Sequence, residues 1–226
     1  MIAIDLDVRI SIENEIPKFL EMAQALGYSA IGSTIFCENK DTELAFPVYT
    51  RINLKARKLS ALKKQATDAR FHCAVVAVPL QGVETTNWAA EDSRIDLLTI
   101  DPLGNHSLRK TTANISATNE TALEVCIAPL LTSIGLDRSR IIRSFHDSIV
   151  VALHAGMKII LTSGADLPIH MRSPVALRHI GMMLGLSRKE ADDAILSNPK
   201  ELVSQNIKRS SGDYIGPGVE LLSGDR

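Results

Sequence analysis

Four aspartates at the ends of predicted strands are the residues best suited to hold a metal ion. Asp5 and Asp7 stand at the end of the first apolar run, and Asp101 and Asp166 each follow a later one. Carboxylates at positions i and i+2 of a strand share a face, and their oxygens suit Mg²⁺. These four carboxylates could therefore bind the metal ion of a phosphoesterase. The pattern favours the alternative interpretation, in which Asp5 and Asp7 accept hydrogen bonds from loop backbone at a strand end.

The histidines and cysteines do not complete a catalytic site. A metal-dependent barrel phosphoesterase would carry His-x-His at the end of its first strand, where this chain has Asp-Leu-Asp. His146 and His154 lie in an apolar helical pattern, and the HExxH, GxSxG, P-loop and GxGxxG motifs are absent. Cys73 and Cys126 have no neighbour in sequence that would activate a thiol. The sequence therefore predicts no catalytic and no metal-ligating residue.

The cations are better suited to binding phosphates. Six basic residues and no acidic one occur between positions 51 and 64: Arg51, Lys55, Arg57, Lys58, Lys63 and Lys64. Such a run suits phosphate contacts, although a solvated helix face has the same composition. Other cations near predicted strand ends and loops are Arg94, Arg109, Lys110, Lys158, Arg172 and Arg178. Because only 4% of the residues are aromatic, contacts with an RNA backbone are expected, and base stacking is not.

Strands and helices that alternate about seven times would position these side chains. Apolar runs predict strands at 2–6, 30–36, 48–54, 72–80, 95–100, 122–128 and 158–161. The helical segments between them supply the crossovers that parallel strands require. The first turn lacks the glycines of a doubly wound nucleotide-binding sheet. We therefore predict an α/β fold, a TIM-barrel-like barrel of about seven parallel strands with surrounding helices and a functional face at the carboxyl ends of the strands.

The segment 158–203 carries the clearest local signals. Its strand ends in the small residues 162–165 (Thr-Ser-Gly-Ala), which indicates that another group approaches this strand end closely. Three helix starts follow, at Ser173-Pro174, at the capping box Ser187 to Glu190, and at Asn198-Pro199. The side chains of this segment that suit contact with a ligand are His170, Arg172 and Arg178.

Length and composition indicate one domain in a reducing compartment. With 226 residues, 45% of them hydrophobic, and no linker, the chain predicts a single domain at 1–209 and a flexible glycine-rich tail at 210–226. Three cysteines far apart, without a CxxC pattern, are typical of free thiols. The start of the chain does not resemble a signal peptide, and no run of 18 apolar residues occurs. We expect a cytoplasmic protein.

Five segments, in this order, carry a resemblance to a known family. They are RIDLLTID at 94–101, ALEVCIAPLL at 122–131, KIILTSGA at 158–165, MRSPVALRHIGMMLGLS at 171–187 and EADDAILSNPKELV at 190–203. The combination of the Thr-Ser-Gly-Ala strand end, the Arg-Ser-Pro helix start and the Asn-Pro helix start is its most specific part. Over nearly its whole length the chain resembles archaeal ribonuclease P protein component 3, the relative of the eukaryotic thirty-kilodalton subunit.

This resemblance implies a barrel related to the PHP phosphoesterases and a place in the ribonucleoprotein that removes the 5′ leader from precursor tRNA. It implies that the RNA performs the Mg²⁺-dependent chemistry and that this chain holds no cofactor. The implied partners are the RNase P RNA, protein component 2 (as a heterodimer or heterotetramer), other RNase P proteins and, for the holoenzyme, precursor tRNA, with no membrane. The alternative is a free-standing PHP-type phosphoesterase that uses the four aspartates.

The resemblance also implies RNA contacts. Arg172 and His106 match positions that the family uses near RNA, whereas Lys110 and Lys158 only lie close in sequence to such positions. With the other cations, the predicted RNA-binding residues are Arg172, His106, Arg109, Lys110, Lys158, Arg94 and Arg51.

Overall fold

Seven parallel strands form a nearly closed barrel. The computed structural model describes residues 2–35, 46–210, 214–216 and 219–220. The strands are β1 (Ile4–Val8), β2 (Ala30–Ser33), β3 (Val48–Asn53), β4 (Val75–Pro79), β5 (Leu97–Thr99), β6 (Ala122–Cys126) and β7 (Ile159–Thr162). Each pairs in parallel with the next strand in sequence, and a parallel bridge between Val8 and Ala165 joins the first strand to the end of the last. The predicted barrel is confirmed.

Helices cover the outside of this barrel. They are α1 (Ile16–Ala25), α2 (Leu59–Arg70), α3 (Val83–Glu91), α4 (Lys110–Thr118), α5 (Ala128–Thr132), α6 (Gly135–Ala155), α7 (Pro174–Met183), α8 (Arg188–Asp192) and α9 (Asn198–Ser210). Their apolar faces pack on the outward-facing strand residues, as Phe19 of α1 and Phe145 of α6 do in the outer core. No helix in the described ranges is long and apolar enough to cross a membrane.

The interior of the barrel changes from apolar to polar along its axis. Near the amino ends of the strands, Ile4, Leu97 and Ile160 meet in an inner cluster, to which Val203 of α9 also belongs. Side chains two positions apart on a strand share a face, so the next inward position after Leu97 is Thr99 and the one after Ile160 is Thr162. Inward positions near the carboxyl ends are thus polar, and this is the end at which barrel proteins keep their functional residues.

The small residues after β7 serve barrel closure. Gly164 has φ +62°, and a Cβ placed on it would lie 2.1 Å from Sγ of Cys126. The backbone N–H of Arg9 donates to the carbonyl of Ala165 at 2.8 Å. The prediction that another group approaches this strand end closely is confirmed, and the approaching groups belong to β6 and to the residue after β1.

Two of the three predicted N-caps are confirmed and the third is wrong. The hydroxyl of Ser173 accepts from the backbone of Ala176, and the capping box of Ser187 is complete. α9 begins at Asn198 as predicted, but Asn198 is itself helical and is not an N-cap, because a π-helical turn at Asp193–Ser197 joins α8 to α9. Its side chain donates to the carbonyl of Ile159 at 2.8 Å and thereby ties α9 to β7.

The predicted tail falls mostly outside the described residues. Within 210–226, two short strands, β8 (Tyr214–Gly216) and β9 (Val219–Glu220), pair antiparallel. The flexibility of this tail, and its separation from a single domain at 1–209, stay predictions. Cys37, one of the three predicted free thiols, lies outside the described residues, whereas Cys73 and Cys126 are buried.

Candidate functional site at the carboxyl end of the barrel

Arg51 of β3 occupies the interior of the barrel near its carboxyl end. Its two terminal nitrogens donate to the two carboxylate oxygens of Glu124 on β6, each at 2.6 Å. The guanidinium also donates to the backbone carbonyl of Leu6 and to the side chain of Asn53, both at 2.9 Å. Arg51 is 1% exposed and Glu124 0%. The pair is therefore a bidentate ion pair removed from water, a geometry for which guanidinium is well suited.

Two hydroxyls complete the surroundings of Glu124. Thr99 donates to Oε2 at 2.7 Å and Thr162 donates to Oε1 at 3.0 Å. A carboxylate accepts about four hydrogen bonds, and with the two from Arg51 all four are made. Glu124 has no acceptor position left for a metal ion.

A second arginine neutralises the carboxylate at the end of β1. Arg9 donates to Oδ2 of Asp7 through Nε at 3.0 Å and through Nη2 at 2.7 Å, and Nε of Arg51 lies 3.5 Å from Oδ1. Burial alone would raise the pKa of Asp7, but Arg51 and Arg9 lower it below its ordinary value. We call Asp7, Arg9, Arg51 and Glu124 the polar centre. In the polar centre, the guanidinium groups of Arg9 and Arg51 neutralise the two carboxylates, which could otherwise bind a metal cation together.

Asp5 lies apart from the polar centre. Ile4 and Leu6 belong to the inner cluster, so Asp5 between them points outward by strand alternation. Its Oδ1 accepts from the backbone N–H of Ser163 at 3.1 Å. The register of β1 is irregular between Asp5 and Val8, and such an irregularity re-aims side chains. The prediction that Asp5 and Asp7 share a face is therefore wrong, whereas the expected backbone hydrogen bond to Asp5 is confirmed.

Ionisation of Asp5 should weaken the fold. Complete burial raises its pKa to about 6 from 3.8, and hydrogen bonds from Ser163 and Asp7 offset only part of this effect. Between these pH values the folded state binds the proton more tightly than the unfolded state does. The free energy of unfolding should thus fall by about 2–3 kcal/mol as pH rises from 4 to 7. Asp5→Asn cannot ionise and should not show this loss.

Urea denaturation of both proteins across this pH range would test the expectation. The free energy of unfolding of Asp5→Asn, minus that of the unchanged protein, should increase with pH by the stated amount. A difference independent of pH would show that Asp5 titrates in the folded protein as it does in the unfolded chain.

The four aspartates of the alternative do not converge. Asp101 and Asp166 are exposed; Asp101 accepts from the backbone of Leu103, and Asp166 lies 2.7 Å from Nδ1 of His170. Asp5 and Asp7 are buried; the Asp5 carboxylate accepts from the backbone N–H groups of Ser163 and Asp7, whereas the Asp7 carboxylate pairs with two arginines. No group of three or more histidines, cysteines, aspartates or glutamates in the described ranges is arranged to hold a metal ion. The phosphoesterase alternative is not favoured by this arrangement.

Cys126 is the remaining candidate nucleophile near the polar centre. Its Sγ accepts from Nη2 of Arg9 at 3.4 Å, yet burial dominates and raises the pKa of the thiol to about 12. A thiol of this kind is almost entirely protonated at neutral pH and is a poor nucleophile. Cys126 thus has a nearby cation that the sequence did not indicate, and the absence of nucleophilic catalysis by Cys126 stays a prediction.

The predicted RNA-binding residues do not form one site. The prediction that Arg51 contacts RNA is wrong, because the Arg51 side chain is buried in the polar centre. Arg94 precedes β5 and pairs with Asp92 at 2.6 Å. Lys158 precedes β7 and pairs with Glu201 at 3.0 Å. Arg94 and Lys158 therefore lie at the amino ends of the strands, opposite the polar centre.

The remaining four predicted residues lie after the carboxyl ends of β5 and β7. His106, Arg109 and Lys110 are exposed around the start of α4, and their side chains have no hydrogen-bond or ion-pair partner in the part of the chain that the structure describes. Arg172 is half-buried and donates to the carbonyls of Ile169 and Met171 at 2.9 and 2.8 Å. The first three are available for a ligand, whereas Arg172 also holds its own loop together.

The other ligand candidates of the segment 158–203 already have side-chain partners. His170 pairs with Asp166, and Arg178 of α7 pairs with Asp192 of α8. The sequence reasoning missed Arg9, Glu124 and the two threonines. A usable signal was present for Glu124, since a lone carboxylate inside the buried strand at 122–126 requires a charged partner, and Arg51 inside β3 is the matching cation.

Comparisons with known proteins match the chain to one family along nearly its whole length. The profile of the family described as RNase P subunit p30 matches residues 2–211. The chain is 28% identical over 220 residues to ribonuclease P protein component 3 of Methanosarcina barkeri, covering 93% of this chain and 90% of the relative. It is 24% identical over 183 residues to the component 3 of Methanothermobacter thermautotrophicus, covering 78% of this chain and 72% of the relative.

A solved structure shares the fold. A chain of the cryo-EM structure of archaeal ribonuclease P with mature tRNA superposes with a TM-score of 0.82 at 15% sequence identity, covering 99% of each chain. Nearly the whole barrel with its helices is therefore common to both.

Proposed function

This chain belongs to the RNase P subunit p30 family, and from that premise we infer that it supports the catalytic RNA of ribonuclease P without a reaction centre of its own. Ribonuclease P is the endoribonuclease that matures the 5′ end of tRNA. In the proposed division of labour, the RNA uses Mg²⁺ for the chemistry and this chain binds no cofactor. The observation that carries the proposal is the polar centre, in which arginines neutralise Asp7 and Glu124.

The chemistry of the polar centre supports this division. A metal-dependent phosphoesterase needs carboxylates or histidines with open acceptor positions and room for a bound water. Glu124 makes four hydrogen bonds, and Asp7 pairs with two guanidinium groups. A buried ion pair contributes little net stability, and it maintains a defined geometry where the strands meet. The barrel end thus has the properties of a scaffold.

The exposed cations supply the proposed RNA contact. Arg109 and Lys110 start α4, with His106 in the loop before them, and all three are exposed. A second group of exposed cations follows the carboxyl end of strand β3 and extends to the middle of α2. Its members are Lys55, Arg57, Lys58, Lys63 and Lys64. Since a net charge of −1 gives no general attraction to RNA, such local groups have to provide it. Arg172, Arg94 and Lys158 stay secondary candidates because each already has protein partners.

The other partners follow from the family. We propose that the chain pairs with protein component 2, works beside further RNase P proteins in the cytoplasm, and meets precursor tRNA only as part of the holoenzyme. The relatives named above are themselves called component 3 of ribonuclease P, which supports an assembly of several proteins with the RNA.

Reconstitution tests the function. Added together with component 2 to the RNase P RNA, the protein should raise the rate of precursor-tRNA cleavage at low Mg²⁺. Alone, with Mn²⁺ or Zn²⁺, it should not hydrolyse phosphate esters. Hydrolysis by the isolated protein that disappears in Asp7→Ala would contradict the proposal and restore the phosphoesterase alternative.

The double variant Arg109→Gln/Lys110→Gln should weaken RNA binding about tenfold. Each phosphate contact releases counterions, so the slope of log affinity against log salt should also fall by about 2. The matched control is Arg188→Gln/Lys189→Gln, which removes another exposed Arg-Lys pair from the start of a helix, α8. Filter binding and cleavage rates across a salt series provide the measurements. Equal losses in both double variants would mean that only total charge matters and that α4 makes no particular contact.

A further inference from the structure

A cavity opens at the carboxyl end of the barrel beside the polar centre. Its volume is about 550 Å³, and its polar lining comes from Arg9, Thr34, Arg51, Asn53, Lys55 and Thr99. These residues lie at or just after the carboxyl ends of β1, β2, β3 and β5. A cavity of this volume falls in the range of pockets that hold small organic ligands. The RNA contact proposed above includes one of these residues, Lys55, as part of an exposed basic run, but it gives the cavity itself no role.

Three cations and no carboxylate line this cavity. They are Arg9, Arg51 and Lys55. Asp7 and Glu124 pair with the two arginines without lining the cavity, and Arg9 also interacts with the exposed Asp166. The charged side chains that a ligand would meet are therefore positive, which suits an anion better than a metal cation.

Two of the cations have donors left for a ligand. Lys55 is exposed and makes no hydrogen bond or ion pair with the residues that the structure describes. Arg9 bonds to Asp7 and Cys126 through Nε and Nη2 only, which leaves Nη1, and its side chain is 45% exposed. Arg51, in contrast, is committed to Glu124. The ion pair with Asp7 also holds the Arg9 guanidinium in place, so little side-chain freedom is lost when a ligand binds.

We propose that this cavity binds a phosphate group carried by a nucleotide, with Lys55 and Nη1 of Arg9 as its charged donors. Lysine ammonium and arginine guanidinium are the side chains that most often hold phosphate, and the cavity has room for the attached nucleoside. The assignment to nucleic-acid phosphate rests on the proposed function, whereas the affinity for phosphate itself does not. The phosphate can come from the 5′ end of an RNA or from an internal phosphodiester.

Binding by the purified full-length protein tests the site. Inorganic phosphate and a nucleoside 5′-monophosphate should bind at low ionic strength, measured by isothermal titration and by broadening of the ³¹P resonance. Lys55→Gln should weaken both about tenfold, the effect of one lost charged hydrogen bond. The matched control is Lys200→Gln, an exposed lysine without a described partner on α9, at the opposite end of the barrel. Absence of binding, or equal affinity in Lys55→Gln and the unchanged protein, would overturn the proposal.

Arg9→Lys provides a second variant. It keeps a positive charge beside Asp7 but removes Nη1, so phosphate affinity should fall; the thermal midpoint without ligand is measured alongside to show that the variant is folded at the temperature of the titration. If phosphate affinity stays unchanged in Arg9→Lys, Arg9 does not bind the ligand and the proposed site is wrong.

Competition separates the two sources of phosphate. Short RNAs with a 5′-phosphate or a 5′-hydroxyl are titrated against bound nucleoside monophosphate. Competition by the phosphorylated RNA alone identifies a terminal phosphate, and equal competition by both identifies a phosphodiester. Competition by neither would remove nucleic acid as the ligand. Reconstituted cleavage with Lys55→Gln, run beside Arg109→Gln/Lys110→Gln, shows whether this site or the wider RNA contact has failed.

Discussion

Glu124→Ala should lower the free energy of unfolding by about 3–5 kcal/mol, because it leaves the guanidinium of Arg51 buried without its counter-charge. The variant also removes the acceptor of the Thr99 and Thr162 hydroxyls. Urea denaturation at pH 7 gives the measurement. The control is Glu21→Ala, an exposed carboxylate on α1 without a described partner, for which a change within about 0.5 kcal/mol is expected.

A double variant separates the loss of a pair from the loss of a charge. Arg51→Met/Glu124→Leu replaces both members with apolar side chains and should recover much of the stability lost in Glu124→Ala. A loss below about 1 kcal/mol in Glu124→Ala would mean that water enters the barrel and solvates Arg51, which would contradict the closed polar centre described above.

Gly164→Ala should destabilise the protein by about 3–4 kcal/mol. The left-handed backbone at φ +62° disfavours any side chain, and the new methyl group would lie 2.1 Å from Sγ of Cys126, far inside van der Waals contact. Since Gly164 stands between β7 and the bridge from Ala165 to Val8, relief of this clash requires the barrel seam to move. Thermal and urea unfolding would measure the loss.

Gly156→Ala isolates the backbone contribution. Gly156 has φ +72° and nothing within 4 Å of its ideal Cβ position, so its substitution should cost only about 1 kcal/mol. Adding Cys126→Ala to Gly164→Ala should recover part of the larger loss by removing the sulfur atom. Equal destabilisation by Gly164→Ala and Gly156→Ala would show that the seam yields easily and that the close approach is unimportant.

The fold could be predicted because its signals are local and repeated. Each strand is a short apolar run, and most crossovers are segments with helical spacing or caps, so the parallel barrel follows from their alternation. The polar segment 37–47, between the second and third strands, shows no helical pattern in the sequence. Ser173 and Ser187 were readable as helix starts because their side chains satisfy backbone donors within three residues. Asn198-Pro199 has the same appearance, yet the contact of Asn198 with Ile159 and the π-helical turn before it depend on tertiary packing.

The candidate site was less predictable, because it depends on which way side chains point. The alternation rule places Asp5 and Asp7 on one face, and only the register irregularity of β1 separates them. The basic run at 51–64 has the composition of a surface, but its first member, Arg51, faces the barrel interior. The sequence shows that this run is positively charged, but it does not show that Glu124, 73 residues after Arg51, neutralises the Arg51 side chain.

The polar centre also makes closure of the barrel independent of bound metal ions. A guanidinium group fixed to β3 is always present, always charged and cannot be extracted by a chelator or exchanged for a competing ion. The strands can close around Glu124 at any concentration of free divalent cation. The shape of the barrel is therefore expected not to depend on the supply of divalent cations.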